Sequence, residues 1–400
     1  IVALVGSREA APHLLDGLRQ LEYRGYDSAG IATVAAQGKL TCLRAKGKLR
    51  NLTACVHKEG APGQCGIGHT RWATHGKPEE RNAHPHRSGD GALAVVQNGI
   101  IENHRALREQ LEASGVVFQS ETDTEVIPHL LAAELQQLQA AGGSPGGGLL
   151  LEALQRVLPK LQGAYALAVI WDQAPGALVV ARKAAPLLIG LGEGEFLCAS
   201  DTPALAGFTR TILPMEDGEV ALLSPLGVEL YDAAGARQQR MPTQLSGVDH
   251  VADKREFRHF MLKEIHEQPQ AIADTLMGRV SLERKTVELP EIPLTAEALA
   301  NISQFYVVAC GTSWHAGLVG KYLFEDLAGM ATHVELASEL RYRNAPMDEN
   351  TLFLAISQSG ETADTLAAIR DAKKQGARVI SICNVLESSI PRESEGTIYT

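Results

Sequence analysis

Gly68-His69-Thr70-Arg71-Trp72-Ala73-Thr74-His75-Gly76, taken with Asn98-Gly99-Ile100-Ile101-Glu102-Asn103, is the most informative pair of stretches in this chain. Arg71 offers a planar fork of N–H donors that suits the carboxylate of a free amino acid. Asp123, within Ser120-Glu121-Thr122-Asp123-Thr124-Glu125, offers the opposite charge for an α-ammonium group. Asn98 follows the apolar run Ala92-Leu93-Ala94-Val95-Val96, so the sequence places it at a strand end with its side-chain amide and the Gly99 N–H aimed at one oxygen. Donors arranged in this way form an oxyanion hole, each contributing roughly 3 kcal/mol to an acyl transfer. Gly99 has no Cβ, which lets that N–H come close to a substrate.

These stretches resemble the glutamine pocket of the class II amidotransferases, which release ammonia from glutamine. The resemblance implies that Arg71, Thr74, His75, Gly99 and Asp123 hold glutamine and that Asn98 and Gly99 stabilise the oxyanion. It further implies that Trp72 gates an ammonia channel and that Arg24, Tyr26 and Asp27 support the pocket. The fold it implies is α+β, the αββα sandwich of the N-terminal-nucleophile hydrolases. The nucleophile of that superfamily is a cysteine at the head of the mature chain, whose own α-amine shuttles the proton. Such an amine titrates at about 7.7 to 8.0, near the pH at which a general base works best. This chain opens with Ile1-Val2-Ala3-Leu4-Val5-Gly6, a strand-like run that follows a Cys-Gly pair in the family. The expectation is therefore a Cys-Gly pair ahead of Ile1, and no glutamine hydrolysis by the polypeptide as written. Cys42, Cys55, Cys65, Cys198, Cys310 and Cys383 carry no free α-amine and do not stand in for it.

A length of 400 residues predicts two or three domains, and 45% hydrophobic content is ordinary for a globular protein. The net charge of −10 is spread along the chain, without a basic stripe, which argues against a nucleic-acid partner. Six irregularly spaced cysteines with no Cys-x-x-Cys pair fit a reducing compartment, by default the cytoplasm, better than a disulfide framework or a zinc site. No run of 18 or more apolar residues and no leader-like start indicates a membrane. His84 and His86, in Asn82-Ala83-His84-Pro85-His86, have no carboxylate or cysteine close in sequence and read as a turn, so no metal is expected. His259 and His266, seven apart on one helix face, read as packing residues.

Leucines at helical spacing predict amphipathic helices over 8–22 and 123–138, and Ala140-Ala141-Gly142-Gly143-Ser144-Pro145-Gly146-Gly147-Gly148 predicts a loop before a helix over 149–161. Strands follow over 165–171, 177–181, 187–190 and 219–223, and around 238–253 the pattern lapses into polar, turn-rich sequence. The expected organisation is a glutaminase domain over 1–240, a linker over 241–253 with the boundary near 245, and a second domain over 254–400. In that second domain, apolar runs at 305–309, 351–356 and 377–383 alternate with helical stretches at 314–327 and 362–374. This alternation predicts βαβ units in a doubly wound, parallel α/β sheet.

Two strand ends in this domain lead through hydroxyl-rich turns into helices: Cys310-Gly311-Thr312-Ser313 and Ser357-Gln358-Ser359-Gly360-Glu361-Thr362. A helix N-terminus at such an edge suits an anion; capping by Ser or Thr is the competing reading. The second turn resembles the sugar-isomerase domain family, whose members bind phosphosugars. An amidotransferase pocket joined to such a domain resembles the family of isomerising glutamine:fructose-6-phosphate aminotransferases, as does Lys263-Glu264-Ile265-His266-Glu267-Gln268-Pro269. That resemblance implies a homodimeric enzyme of hexosamine synthesis that uses glutamine and fructose 6-phosphate and needs no metal or organic cofactor. It implies that Thr312, Ser313, Ser357, Gln358, Ser359 and Thr362 hold the sugar phosphate, and that the isomerisation residues lie beyond Thr400. The alternative is a non-catalytic phosphosugar-binding or regulatory protein.

Overall fold

The computed structural model describes residues 1–22, 25–72, 76–245, 257–281, 283–386 and 388–400. The chain divides into two compact units, Ile1–Asp253 and Lys254–Thr400. The first unit runs β1 (Val2–Val5), α1 (Ala10–Gln20), β2 (Ser28–Val34), β3 (Leu40–Lys46), α2 (Leu49–Glu59), β4 (Cys65–Arg71), β5 (His86–Arg87) and β6 (Leu93–Ile101). Helices α3 (His104–Ala113), α4 (Val126–Ala140) and α5 (Gly147–Val157) follow, then strands β7 (Gly163–Trp171), β8 (Leu178–Lys183), β9 (Leu188–Leu191) and β10 (Phe196–Ala199). A short helix α6 (Pro203–Ala206) precedes β11 (Thr211–Pro214), β12 (Val220–Ser224), β13 (Gly227–Tyr231), β14 (Arg237–Gln238) and β15 (Thr243–Gln244).

These strands form two antiparallel sheets, in the orders β15-β11-β9-β10-β1-β4-β2-β3 and β14-β13-β12-β8-β7-β6-β5. Side chains alternate across a strand, and here the alternation sorts residues into layers. Ile1, Ala3 and Val5 face Ala94, Val96, Ala166 and Ala168 between the sheets. Val2 and Leu4 face Leu14 and Leu18 of α1 on one outer face, and Val95, Leu167 and Val169 face Ile127, Leu131 and Leu154 of α4 and α5 on the other. The result is helix, sheet, sheet, helix, with each buried leucine contributing roughly 1.5–3 kcal/mol. The Gly-x-Gly spacing in β4 has a packing cause: a Cβ at Gly66 would lie 2.9 Å from Leu14 Cδ1, and one at Gly68 would lie 3.2 Å from Leu18 Cδ1.

Several sequence expectations shift: α1 is shorter than 8–22, and α5 begins at Gly147, inside the expected loop, and ends at Val157. Thr243–Gln244, expected in a linker, pairs with β11 and belongs to the first sheet; 246–253 of that expected linker lie outside the described residues. Helix α4 begins at Val126 rather than Asp123, because the Asp123 carboxylate accepts a hydrogen bond from the Ile101 N–H and Glu125 is engaged by Gln119 and Ser120 just before the helix.

The second unit contains α7 (Phe260–Leu276), the short hairpin β16 (Val280–Ser281) and β17 (Thr286–Val287), and α8 (Ala296–Ala300). Its core is built from β18 (Gln304–Ala309), α9 (Gly311–Ala328), β19 (Thr332–Leu336), α10 (Ala337–Leu340), β20 (Thr351–Ser357), α11 (Ala363–Lys374), β21 (Arg378–Cys383), α12 (Ser389–Glu393) and β22 (Gly396–Tyr399). The sheet is parallel throughout, in the order β19-β18-β20-β21-β22. Its winding reverses between β18 and β20, whose carboxyl ends lie side by side with Ala309 opposite Ile356.

Candidate active sites

β4 and β6 belong to different sheets, and their facing side chains meet between them. His69 of β4 and Asn98 of β6 are joined by a hydrogen bond of 2.8 Å between Nε2 and Oδ1. Arg71, two residues further along β4, is 4% exposed and lies within electrostatic reach of Asp27 and Asp123, its Nη1 standing 3.9 Å from Asp27 Oδ1. Burial lowers the Arg71 pKa from its ordinary value, and the two carboxylates oppose that shift. The predicted cation and anion of the amino-acid grip are thus neighbours beside the predicted oxyanion donors.

Asn98 is not at a strand end. β6 runs on to Ile101, with Asn98 opposite Ala166 and Gly99 opposite Tyr165. Gly99 is glycine for a reason the sequence reading missed: its φ is +104°, and a Cβ would lie 2.1 Å from the Ala164 carbonyl oxygen. Trp72 follows β4 and is 69% exposed, its ring against Gly25, so it is not a core aromatic. The Tyr26 hydroxyl donates to the Glu22 carboxylate and accepts from the Leu49 N–H at 2.7 Å, which ties down the segment before β2. Arg24, Thr74 and His75 lie outside the described residues.

His84 and His86, read from sequence as a turn, are buried and continue a stack that begins at His69. His69 and His84 are parallel with centroids 4.3 Å apart, and His86 meets His84 edge-on at 4.8 Å. His84 Nδ1 accepts from the Gln97 N–H at 3.2 Å, and its Nε2 lies 3.4 Å from Thr124 Oγ1, which itself donates to Gln97 Oε1. His86 Nε2 lies 3.0 Å from Thr122 Oγ1, and Ser120 passes the chain on to Glu125. Burial pushes the pKa values of His69 and His84 well below that of a free imidazole. Among the described residues, no group of three or more metal-ligating side chains exists. The available sequence signal was His69 itself, inside the quoted motif; nothing in the spacing tied it to His84.

All six cysteines are free. Burial pushes the Cys65 thiol up to about 12 and Cys198 higher still, so neither supplies a thiolate at neutral pH.

In the second unit, both predicted turns sit at the β18/β20 switch point, where doubly wound sheets take ligands. Ser357 closes β20, its hydroxyl 3.2 Å from Thr362 Oγ1 and accepting from the Gly360 N–H at 3.0 Å; Ser359 accepts from the Glu361 N–H at 3.2 Å. Gln358 is exposed and its backbone carbonyl accepts from Asn384 and Val385. Thr312 and Ser313 occupy the first turn of α9. Neither α9, capped by Cys310, nor α11, capped by Thr362, has a side-chain capping hydrogen bond, so the competing capping reading is not realised at either helix.

A glutamine amidotransferase domain family matches residues 69–207, and the SIS domain family matches 298–400. The glutamine--fructose-6-phosphate aminotransferase [isomerizing] of Symbiobacterium thermophilum is 50% identical over 400 residues, covering 100% of this chain and 64% of that protein. The protein of the same description from Nostoc sp. is 52% identical, with 98% and 63% covered. The glutamine phosphoribosylpyrophosphate amidotransferase structure from B. subtilis superposes with a TM-score of 0.50 at 19% identity, covering 96% of this chain and 80% of that one, a likeness of fold alone. The chain spans somewhat under two thirds of the length of the curated relatives it matches. The chain thus carries a glutamine amidotransferase domain and a SIS domain, and along its length it is about half identical to glutamine–fructose-6-phosphate aminotransferases.

Proposed function

We propose that the protein to which this chain belongs moves the amide nitrogen of glutamine to fructose 6-phosphate, giving glucosamine 6-phosphate and glutamate for hexosamine synthesis. One observation carries the glutamine half. β1 is antiparallel to β4 with Val2 opposite Gly68, so continuing that register upstream of Ile1 brings the next two residues opposite Thr70 and Arg71. A Cys-Gly pair there puts a thiolate and its α-amine beside the Arg71–Asp123 pair and the Asn98–Gly99 donors.

The thiolate attacks the amide carbon while Arg71 and Asp123 hold the amino-acid head. Asn98 and the Gly99 N–H stabilise the oxygen that becomes negative, ammonia leaves with the proton that the α-amine supplies, and water then releases glutamate from the thioester. Thr74 and His75 complete the grip, Arg24 and Tyr26 support it, and Trp72, exposed at the pocket, gates ammonia's path. In the second unit Ser357, Gln358, Ser359 and Thr362, with Thr312 and Ser313, hold the sugar phosphate at two adjacent helix N-termini. No metal or organic cofactor is required.

A homodimer is supported by the outward face of α9, which exposes Val319, Tyr322, Leu323 and Leu327, and sedimentation tests it. Six free thiols support a reducing, cytoplasmic setting. Among the described residues no helix is long and apolar enough to cross a membrane.

The deciding experiment supplies full-length protein with glutamine and fructose 6-phosphate and measures glutamate and glucosamine 6-phosphate together. Equal amounts are expected. Glutamate without amino sugar, or no rise in melting temperature with millimolar fructose 6-phosphate, would remove the second site; no glutamate would remove the first.

A further inference from the structure

The Asn98 carboxamide serves an oxyanion only in one of its two orientations. Rotated by half a turn, it presents Oδ1 to the developing negative charge and repels it, so whatever binds Oδ1 decides whether the donor is in place. In this structure that partner is His69 Nε2, at 2.8 Å. The bond spans the two sheets, from β4 to β6, so it also fixes the distance between the strands that carry Arg71 and Asn98.

For His69 to donate, its single proton must sit on Nε2. His69 is 4% exposed, and among the described residues its Nδ1, likewise buried, has no hydrogen-bond partner. A proton on Nδ1 would leave a buried donor without an acceptor and also set the bare Nε2 against Asn98 Oδ1, forfeiting the 2.8 Å bond; a proton on Nε2 leaves only an unpartnered acceptor at Nδ1 and makes the bond. The ring's plane is set from behind by His84, stacked at 4.3 Å and tilted by 17°. His84 is oriented in turn, because the Gln97 N–H donates to its Nδ1 and its Nε2 reaches Thr124. Gln97 is the residue before Asn98, so the backbone that carries the donor also anchors the ring stacked behind the one that aims it.

We propose that His69 is a positioning residue for glutamine hydrolysis, holding Asn98 Oδ1 so that the Asn98 amide N–H faces the developing oxyanion. The inference rests on the glutaminase reading above. It assigns His69 no contact with glutamine and no proton transfer, and its effect is on kcat rather than on binding.

The test uses full-length protein with three substitutions. His69→Met fills the space without a donor; His69→Gln carries its amide nitrogen about where Nε2 stands, and His69→Asn places it near Nδ1, out of reach. Removing an oxyanion donor costs about 10²–10³ in kcat, so His69→Met and His69→Asn are expected to lose on the order of 10²-fold in glutamine hydrolysis with KM for glutamine within about two-fold. His69→Gln is expected to recover most of the loss. A merely structural histidine would not separate Gln from Asn, nor kcat from KM. Should the Met variant fail to fold, the Gln and Asn pair decides alone. Equal kcat for that pair, or a normal kcat in His69→Met, overturns the proposal while leaving the glutaminase reading intact. Absence of glutamate release from the unsubstituted protein overturns both.

Discussion

Replacing Gly99 by alanine should destabilise the first unit by much more than the same change at another left-handed glycine. Two costs are separable. The φ of +104° holds an L-residue in a sparsely populated region, at about 1–3 kcal/mol. The added Cβ also meets the Ala164 oxygen at 2.1 Å and its carbon at 2.8 Å, and both belong to β7, the strand paired with β6 along its whole length. Relieving the contact requires a backbone shift of about 1 Å in the middle of a sheet, an overpacking cost of about 1–3 kcal/mol. Gly115 supplies the control: its φ is +89° and an added Cβ meets nothing within 4 Å, so Gly115→Ala carries the strain without the clash. With about 2–4 °C of melting temperature per kcal/mol for a unit of this size, Gly99→Ala should melt roughly 4–8 °C below Gly115→Ala by calorimetry. Melting temperatures within 1 °C of each other would refute the steric account and return Gly99 to a role in substrate approach alone.

Arg71→Ala should raise the KM for glutamine by roughly 10–100-fold, the loss of one charge-assisted contact; unchanged kinetics would remove Arg71 from the pocket. Glu125 is buried, which would raise its pKa, but the His129 ring 3.6 Å away and hydrogen bonds from the Ser120 hydroxyl and the backbone N–H groups of Gln119 and Ser120 prevail and hold it below the ordinary carboxylate range. A lowered folded-state pKa gives stability that is present above the unfolded value, about 4.3, and is lost as pH falls below it. Glu125→Gln should therefore cost about 2 kcal/mol at pH 7 and less at pH 3, by urea unfolding; a pH-independent gap would contradict this. Trp72→Ala, at a site 69% exposed, should shift melting by less than about 2 °C yet lower the amino sugar formed per glutamate released in the full-length protein. An unchanged ratio would exclude a gating role.

The layers of the first unit were legible only through resemblance, because a β-strand buried on both faces, such as Val2–Val5, has no polar alternation to reveal it. The parallel sheet of the second unit was legible directly, since its apolar runs are short and regularly interleaved with helices. Arg71, Asp123, Asn98 and Gly99 were found in sequence because their chemistry is local to single residues. The histidine stack was not, since it depends on β4 and β5 meeting across two sheets, and a histidine followed by proline gives no sign of burial. Asn98 was set at a strand end because the apolar run stops at Val96, whereas in the structure β6 continues its pairing with β7 through Gly99 to Ile101.

The position of β1 has a consequence for how the protein is made. It lies between β4 and β10, and the Ile1 carbonyl accepts a hydrogen bond from the Ser200 N–H at 3.1 Å. β1 can pair with β4 early, but its pairing with β10 must wait until Ala199 has been synthesised, roughly 10–40 s after Val2 at 5–20 residues per second. Until then one edge of this apolar strand waits without a partner, while the other can already pair with β4. The sheet that carries β4 is therefore closed late by a strand made early, and a product that ends before β10 leaves β1 with one open edge.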